Sequence, residues 1–270
     1  MNKTRSSGLG LLPLALLMLI PACASGPPPG PSPAELAGRE AKTILLSPFN
    51  IVNALPPELE GTTKKVKRML VDHLEANGKT VKVMGYRAAR NLWKDSTAEV
   101  RTSGKKKNFE NAAKVYARKI REHLEFDAVI VPSLFLQNAK VAGRTAKWDG
   151  TEQKVEMEGR VPTNRSNRYG GNMGTFYVQA ASIFVRILDA NGKSIHDKKS
   201  GIELIQHLAL IVEDGGLASG AERVDMELVD DKIAIDDDER ISAAATDVLY
   251  PFVPRDPTES SQPPAAEPGE

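Results

Sequence analysis

A second cysteine is the first thing this 270-residue chain lacks. With Cys23 alone no disulfide framework can form, so stability has to come from a packed core. An excess of charge of one sign is missing as well: 36 Lys and Arg stand against 35 Asp and Glu, a formal net charge of +1. Such a balance offers no electrostatic ground for binding nucleic acid. The four histidines, His73, His123, His196 and His207, include no pair at three- or four-residue spacing and have no cysteine to join them, so no metal set is expected. Asp230-Asp231 and Asp236-Asp237-Asp238-Glu239 lack the central glycine and alternating acids of a calcium loop, and read as a solvated approach to a helix. No Gly-x-Ser-x-Gly elbow is present, which argues against a serine hydrolase without closing the case for a dispersed triad. Hydrophobic residues make up 41% of the chain, enough for a sizeable core in one or two domains.

The N-terminus carries the most specific signal. Lys3 and Arg5 precede an apolar stretch from Gly8 to Ile20, of signal-peptide length and short for a membrane span. It ends in Leu19-Ile20-Pro21-Ala22-Cys23, which resembles the lipobox of bacterial lipoproteins, with Pro21 as a departure from the usual small residue. The expectation is a lipoprotein signal peptide over 1–22, cleavage before Cys23, and a lipid (palmitate among its chains) on that sulfur. An ordinary cleaved signal peptide is the alternative, since Ala22 and Ala24 are small enough for it. Loss of Lys3 and Arg5 with the leader leaves 34 basic residues against 35 acidic, a charge of −1. Absence of Asp at position 24 suggests, by analogy with enterobacterial sorting, an outer-membrane lipoprotein facing the periplasm. Residues 23–40 read as a Pro/Gly-rich tether, 41–253 as a single α/β domain, and 254–270 as a disordered tail.

Within 41–253, strand-like and helix-like runs alternate. The predicted class is α/β, a mixed sheet of about five to seven strands covered by three or four helices, with one or two β-hairpins. Thr43 to Asn50 reads as a buried strand, and Leu59, Val66, Leu70 and Leu74 as the stripe of a helix ended by Asn77-Gly78. Thr80 to Met84 is the next strand, completing a βαβ unit. Ala88, Ala89, Leu92 and Trp93 mark a second helix, and Phe109, Ala113, Tyr116, Ile120 and Leu124 a third, with Asn108 as N-cap. Phe126 to Leu136 is a central strand in which Pro132 marks a bulge or an end. A two-residue turn at Asp149-Gly150 sets Trp148 opposite Thr151, Ala146 opposite Gln153, Arg144 opposite Val155 and Lys147 opposite Glu152. At Asn191-Gly192 a two-residue loop sets Leu188 opposite Ile195 and Arg186 opposite Asp197, while a three-residue loop shifts that register. Ile202 to Val212 is strand or short helix, and Ile241, Ala244, Ala245, Val248 and Leu249 form a last helix stopped by Pro251.

Three segments, Ile44-Leu45-Leu46-Ser47-Pro48-Phe49, Val81-Lys82-Val83-Met84-Gly85-Tyr86-Arg87 and Phe126-Asp127-Ala128-Val129-Ile130-Val131, resemble a group of envelope lipoproteins. These share the domain of the curli-secretion lipoprotein, the penicillin-binding-protein activator lipoprotein B and the N-terminal domain of TolB. The resemblance covers roughly residues 43 to 136. It implies a non-catalytic protein without cofactors that serves cell-wall synthesis or secretion machinery, through the membrane on Cys23 and an envelope protein partner or itself. Arg144 to Glu158 lacks the tall lipid-facing band of the pore-forming members. Candidate partner contacts are Trp148 near a hairpin tip and Arg168 and Tyr169 in the polar loop 162–174, all of residue types enriched at interface anchors. Against these stand a Trp148 ring folded back onto the sheet and a loop that is a tolerated insertion. The Gly170 to Gly174 stretch precedes a strand and opens no helix, so it supplies no phosphate cradle. The competing functions are an enzyme or small-ligand-binding lipoprotein, and a homo-oligomeric secretion ring.

Overall fold

A computed structural model of the chain describes residues 31–104, 106–155, 157–158, 176–213, 223–230 and 235–256. The first element is a helix, α1 (Pro33–Glu40), where the sequence suggested tether. Ser32 caps it by accepting from the Glu35 N–H at 3.2 Å, Pro33 sits at the first helical position, and Ala34 and Gly38 are buried one turn apart. Gly38 packs so close that a Cβ there would lie 1.6 Å from the Phe252 carbonyl oxygen. Residues 32–40 are therefore a capped and packed helix, and the tether expectation is corrected for them.

Strand β1 (Thr43–Leu46), helix α2 (Thr63–Ala76) and strand β2 (Thr80–Val83) follow, then α3 (Tyr86–Thr102), α4 (Phe109–Arg121) and β3 (Ala128–Ala142). The strands β2, β1 and β3 are parallel neighbours in that order. Alternation along β1 decides which helix covers which face. Ile44 and Leu46 join α2 residues Val66, Leu70 and Leu74 in one core, while Leu45 joins Trp93, Ala113, Tyr116 and Ile120 of α3 and α4 in another. Asn108 caps α4 as its sequence predicts, accepting from the Asn111 N–H at 3.0 Å.

Strand β3 runs straight through Pro132, contrary to the expected bulge or end. The Pro132 carbonyl accepts from the Asn50 N–H, so the proline nitrogen faces the same side, beyond the last residue of β1, where no ladder donor is required. The far half of β3 pairs on that edge with β4 (Thr145–Trp148), which turns into β5 (Thr151–Lys154); along its other edge β3 pairs with β7 (Phe176–Asp189), and β7 with β8 (Ser194–Leu204). This is a seven-stranded mixed sheet. It curls until the β4–β5 tip meets β8: the Gly201 N–H donates to Asp149 O (3.3 Å), Thr151 Oγ1 to Gly201 O (3.1 Å), and the Leu204 N–H to Gln153 Oε1 (3.1 Å). Helix α5 (Asp238–Leu249) lies over β7 and β8 and completes the α2 core. A second sheet, β10-β9-β6, comprises β6 (Met157–Glu158), β9 (Gln206–Glu213) and β10 (Arg223–Asp230).

Candidate functional surface

In an open α/β sheet, ligands gather beyond the carboxyl ends of the strands where the chain reverses its direction of winding. Here that point lies between β1 and β3, because α2 covers one face and α3 with α4 the other. The chain fills it with its own atoms. The Ser47 N–H donates to Ile130 O (2.9 Å) and the Asn50 N–H to Pro132 O (3.1 Å). Asn50 Nδ2 then donates to Leu134 O (2.9 Å) while its Oδ1 accepts from the Leu134 N–H (2.9 Å), so one side-chain amide continues the ladder after β1 has ended. Asn50 stands at φ 56°, a region in which Asn is enriched, and Phe49 and Ile51 are buried beside it. Ser47 Oγ lies 3.3 Å from the Tyr116 hydroxyl, which also approaches Met84 Sδ at 3.7 Å. Burial pushes the Tyr116 phenol up, and the Ser47 contact partly offsets that.

At the opposite end of β1, Asp127 Oδ2 accepts from the backbone N–H groups of Thr43 and Lys42, both at 2.8 Å. Those two bonds hold its carboxyl below the usual range. Lys79 Nζ donates to Gly38 O (2.6 Å) and Ala41 O (2.8 Å), and burial lowers its pKa against the pull of Asp127. His73 and His196 are both held below the ordinary 6.5, chiefly by burial, and His196 Nε2 lies 2.8 Å from Val248 O. A base with a lowered folded pKa is protonated more readily when unfolded, so acid favours unfolding. Stability should thus be level between about pH 8 and 6.5 and fall as pH drops below that through the two histidines. A second fall should come beneath the ordinary Asp value of 3.8 as Asp127 loses its charge. Urea midpoints at about pH 8, 5.5 and 3.5 check this, and equal midpoints at the first two would contradict the histidine part.

A cleft of about 570 Å³ opens where the β4–β5 tip, β8 and α5 meet, lined by Asp149, Thr151, Lys198, Lys199, Ser200, Arg240, Ala243, Ala244 and Asp247 among others. Lys198 pairs with Asp247 at 2.9 Å, Arg255 shares the same carboxylate at 2.9 Å, and Arg240 pairs with Asp237 at 3.0 Å. Lys199 Nζ sits 5.2 Å from the Phe135 ring centroid. Asp149 Oδ2 is buried and has no hydrogen-bond partner among the described residues.

The second sheet carries a feature the sequence reading missed. Backbone register sets Leu208, Leu210 and Val212 of β9 opposite Leu228, Met226 and Val224 of β10 in an antiparallel pair. The alternation Val224-Asp225-Met226-Glu227-Leu228 was a usable period-2 signal for β10.

Of the candidate site residues, Trp148 is corrected. It is 6% exposed, donates from Nε1 to Ala181 O at 3.2 Å, and packs with Ala139, Val141, Ala146, Val178 and Leu204. Of the two arrangements the sequence left open, the folded-back one is found: the hairpin tip lies down on β8, which turns the indole into core. Cys23, Arg168 and Tyr169 lie outside the described residues. Among the described residues no group of three or more His, Cys, Asp or Glu could hold a metal, and no helix is long and apolar enough to cross a membrane.

No protein-family model matches the chain, and no curated protein matches it either. Among solved structures it bears a weak likeness to the dodecamer of a single-substitution PelC variant from Paraburkholderia phytofirmans, at 10% identity and a TM-score of 0.32, over 83% of this chain and 93% of that one.

Proposed function

We propose that this chain is a cell-envelope lipoprotein, anchored through lipid on Cys23 in the outer membrane facing the periplasm, that acts by binding another envelope protein and performs no catalysis. Its service is to cell-wall synthesis or secretion machinery. The observation that carries the non-catalytic reading is the Asn50 plug: the position where an α/β sheet receives a ligand is taken by this chain's own amide, hydrogen-bonded in both directions to Leu134. Anchoring is supported by the lone cysteine at the end of the leading apolar run. From Cys23 to Ser32, an extended tether of roughly 3 Å per residue would hold the domain within about 30 Å of the headgroups.

Two measurements test the reading. Intact mass of Cys23→Ser should show an unlipidated precursor with its leader attached, and a wild-type chain that begins at Ala24 without lipid would overturn the anchor. A photocrosslinker at exposed Tyr177, and another at Tyr169, in the lipidated protein in living cells should capture one reproducible foreign envelope protein. Self-crosslinks alone would replace the adaptor with a homo-oligomer, and no crosslink at either position would favour a small-ligand binder.

A further inference from the structure

Charge on this chain is balanced in total and unbalanced in space. From Tyr86 to Arg121, through α3 and α4, eleven Lys and Arg stand against three Asp and Glu, a net +8 in a chain whose total is +1, so the remaining residues sum to −7. The excess is also sorted around α3. At about 100° per residue, Arg87, Arg90, Lys94 and Arg101 fall within an arc of roughly 60°, away from the buried Ala89, Trp93, Ser96 and Val100. All four cations are exposed. The acids of the helix lie on the side that meets α4: Glu99 is held by Arg118 at 2.8 Å and Lys119 at 3.4 Å, and Asp95 precedes it by one turn. None of the four cations meets a carboxylate among the described residues. Arg87 and Arg90 are three positions apart and Arg90 and Lys94 four, spacings at which like charges repel and weaken the helix that bears them. At the amino-terminal end of this stripe Tyr86 and Val83 are each 51% exposed, and Arg90 donates from Nη1 to the Tyr86 hydroxyl at 2.7 Å.

We infer that the basic stripe of α3 is the docking surface for an acidic segment of a partner protein, with Tyr86 and Val83 receiving an apolar residue of that segment. The inference rests on the interaction reading above and names the surface and the chemistry it uses. Carboxylates set along the stripe neutralise four cations that otherwise repel one another, and complementary charge of this kind steers encounter and fixes register. From Arg87 to Arg101 the stripe runs roughly 21 Å, the length of four helical turns. The exposed Tyr86 and Val83 favour a protein over an anionic polysaccharide, which would occupy the cations and leave these two side chains without an apolar partner. The placement of α1 favours a protein over the lipid surface. Ala37 and Ala41 pack into the α2 core and Gly38 against Phe252, so the end by which the proposed tether joins the domain lies on the face of the sheet opposite α3.

The test uses the purified full chain and, as probe, a synthetic helical peptide of about eighteen residues, long enough to span the stripe, with four Glu on one face and a Phe one turn before the first. A control peptide has the same composition with its Glu dispersed around the helix. The probe should bind at least about fivefold more tightly than the control, and added salt should weaken it. Binding should fall at least about threefold in Lys94→Glu and about tenfold when Arg87→Glu and Arg90→Glu are added, while Lys94→Arg keeps it. Tyr86→Ala should weaken it at low and high salt alike. Equal binding of probe and control, or equal binding of the probe to wild type and to Lys94→Glu, would overturn the surface; Lys94 is exposed, so its reversal leaves the core untouched. Vesicles containing phosphatidylglycerol that bind more tightly than the probe, and are lost in Lys94→Glu, would give the stripe to lipid and overturn the protein segment. So would probe binding that emerges only after deletion of residues 257–270, which carry Glu259, Glu267 and Glu270. A foreign partner captured through Tyr177 alongside a negative probe result would leave the adaptor function standing and remove only this surface.

Discussion

Asn50→Ala is expected to lower the unfolding free energy by about 3–8 kcal/mol, measured by urea denaturation near neutral pH. Two effects add. The Leu134 N–H and C=O lose their partners in a buried setting, each at a cost of about 1–3 kcal/mol. Position 50 also stands at φ 56°, where an alanine pays about 1–2 kcal/mol of backbone strain. Asn50→Gly separates the two, because glycine carries no penalty at that φ and removes only the hydrogen bonds. Its loss should be the smaller, and a loss below about 1 kcal/mol in Asn50→Gly would show that water replaces the amide and that the crevice is open to solvent. Asn50→Asp should resemble glycine or be worse: a carboxylate can accept from the Leu134 N–H but sets a charge against the Leu134 carbonyl.

Trp148→Ala should cost about 3–5 kcal/mol as a large-to-small change in a core, with a further contribution from the unpaired Ala181 carbonyl. The partner position is Gly201, where a Cβ would lie 2.4 Å from the indole Nε1 and 2.8 Å from the Thr151 Cβ. Gly201→Ala by itself should therefore destabilise through overpacking, by about 1–3 kcal/mol. In the Trp148→Phe background, which removes Nε1, the same change should cost less, and a double-mutant cycle would give that coupling a sign. If Trp148 were an exposed anchor for a partner, its removal would weaken association and leave the thermal midpoint unmoved. That result would contradict its burial between β4 and β7.

The two hairpins show how far pattern reaches. At Asp149-Gly150 the positive φ of both residues, 39° and 78°, demands a tight two-residue turn, and the expected cross-strand pairs from Trp148–Thr151 to Ala146–Gln153 are found, including the Lys147–Glu152 ion pair. At Asn191-Gly192 the loop has three residues, Ala190 to Gly192, closed by Asp189 N–H to Lys193 O and Gly192 N–H to Asp189 O, each at 2.9 Å. Leu188 accordingly faces Ser194 and not Ile195. A bulge between Ile187 and Leu188 then restores the other register, so Arg186 does face Asp197, with Nη2 to Oδ2 at 2.6 Å. One shift cancels the other. Turn chemistry alone cannot foresee this, because a bulge is chosen by how the rest of the sheet packs.

Short-range periodicity and local chemistry carried a definite share of this architecture. The stripe of α2, the Asn108 cap, the three parallel strands, the Asp149-Gly150 turn and the α/β class all follow from residues within a few positions of one another. The remainder depends on groups far apart in the chain. Asn50 reaches Leu134 across 84 positions, Asp127 reaches Thr43 across the same span, and the curl of the sheet brings Asp149 onto Gly201. Each of these is a backbone donor or acceptor meeting whatever polar atom packing places before it. Such a pairing leaves no periodic trace, because its partner is set by the path of the sheet and not by neighbours in sequence. The fate of Trp148 is the plainest case: a tryptophan beside a tight turn reads the same whether the tip stands out or folds down, and only the closure onto β8 made it core.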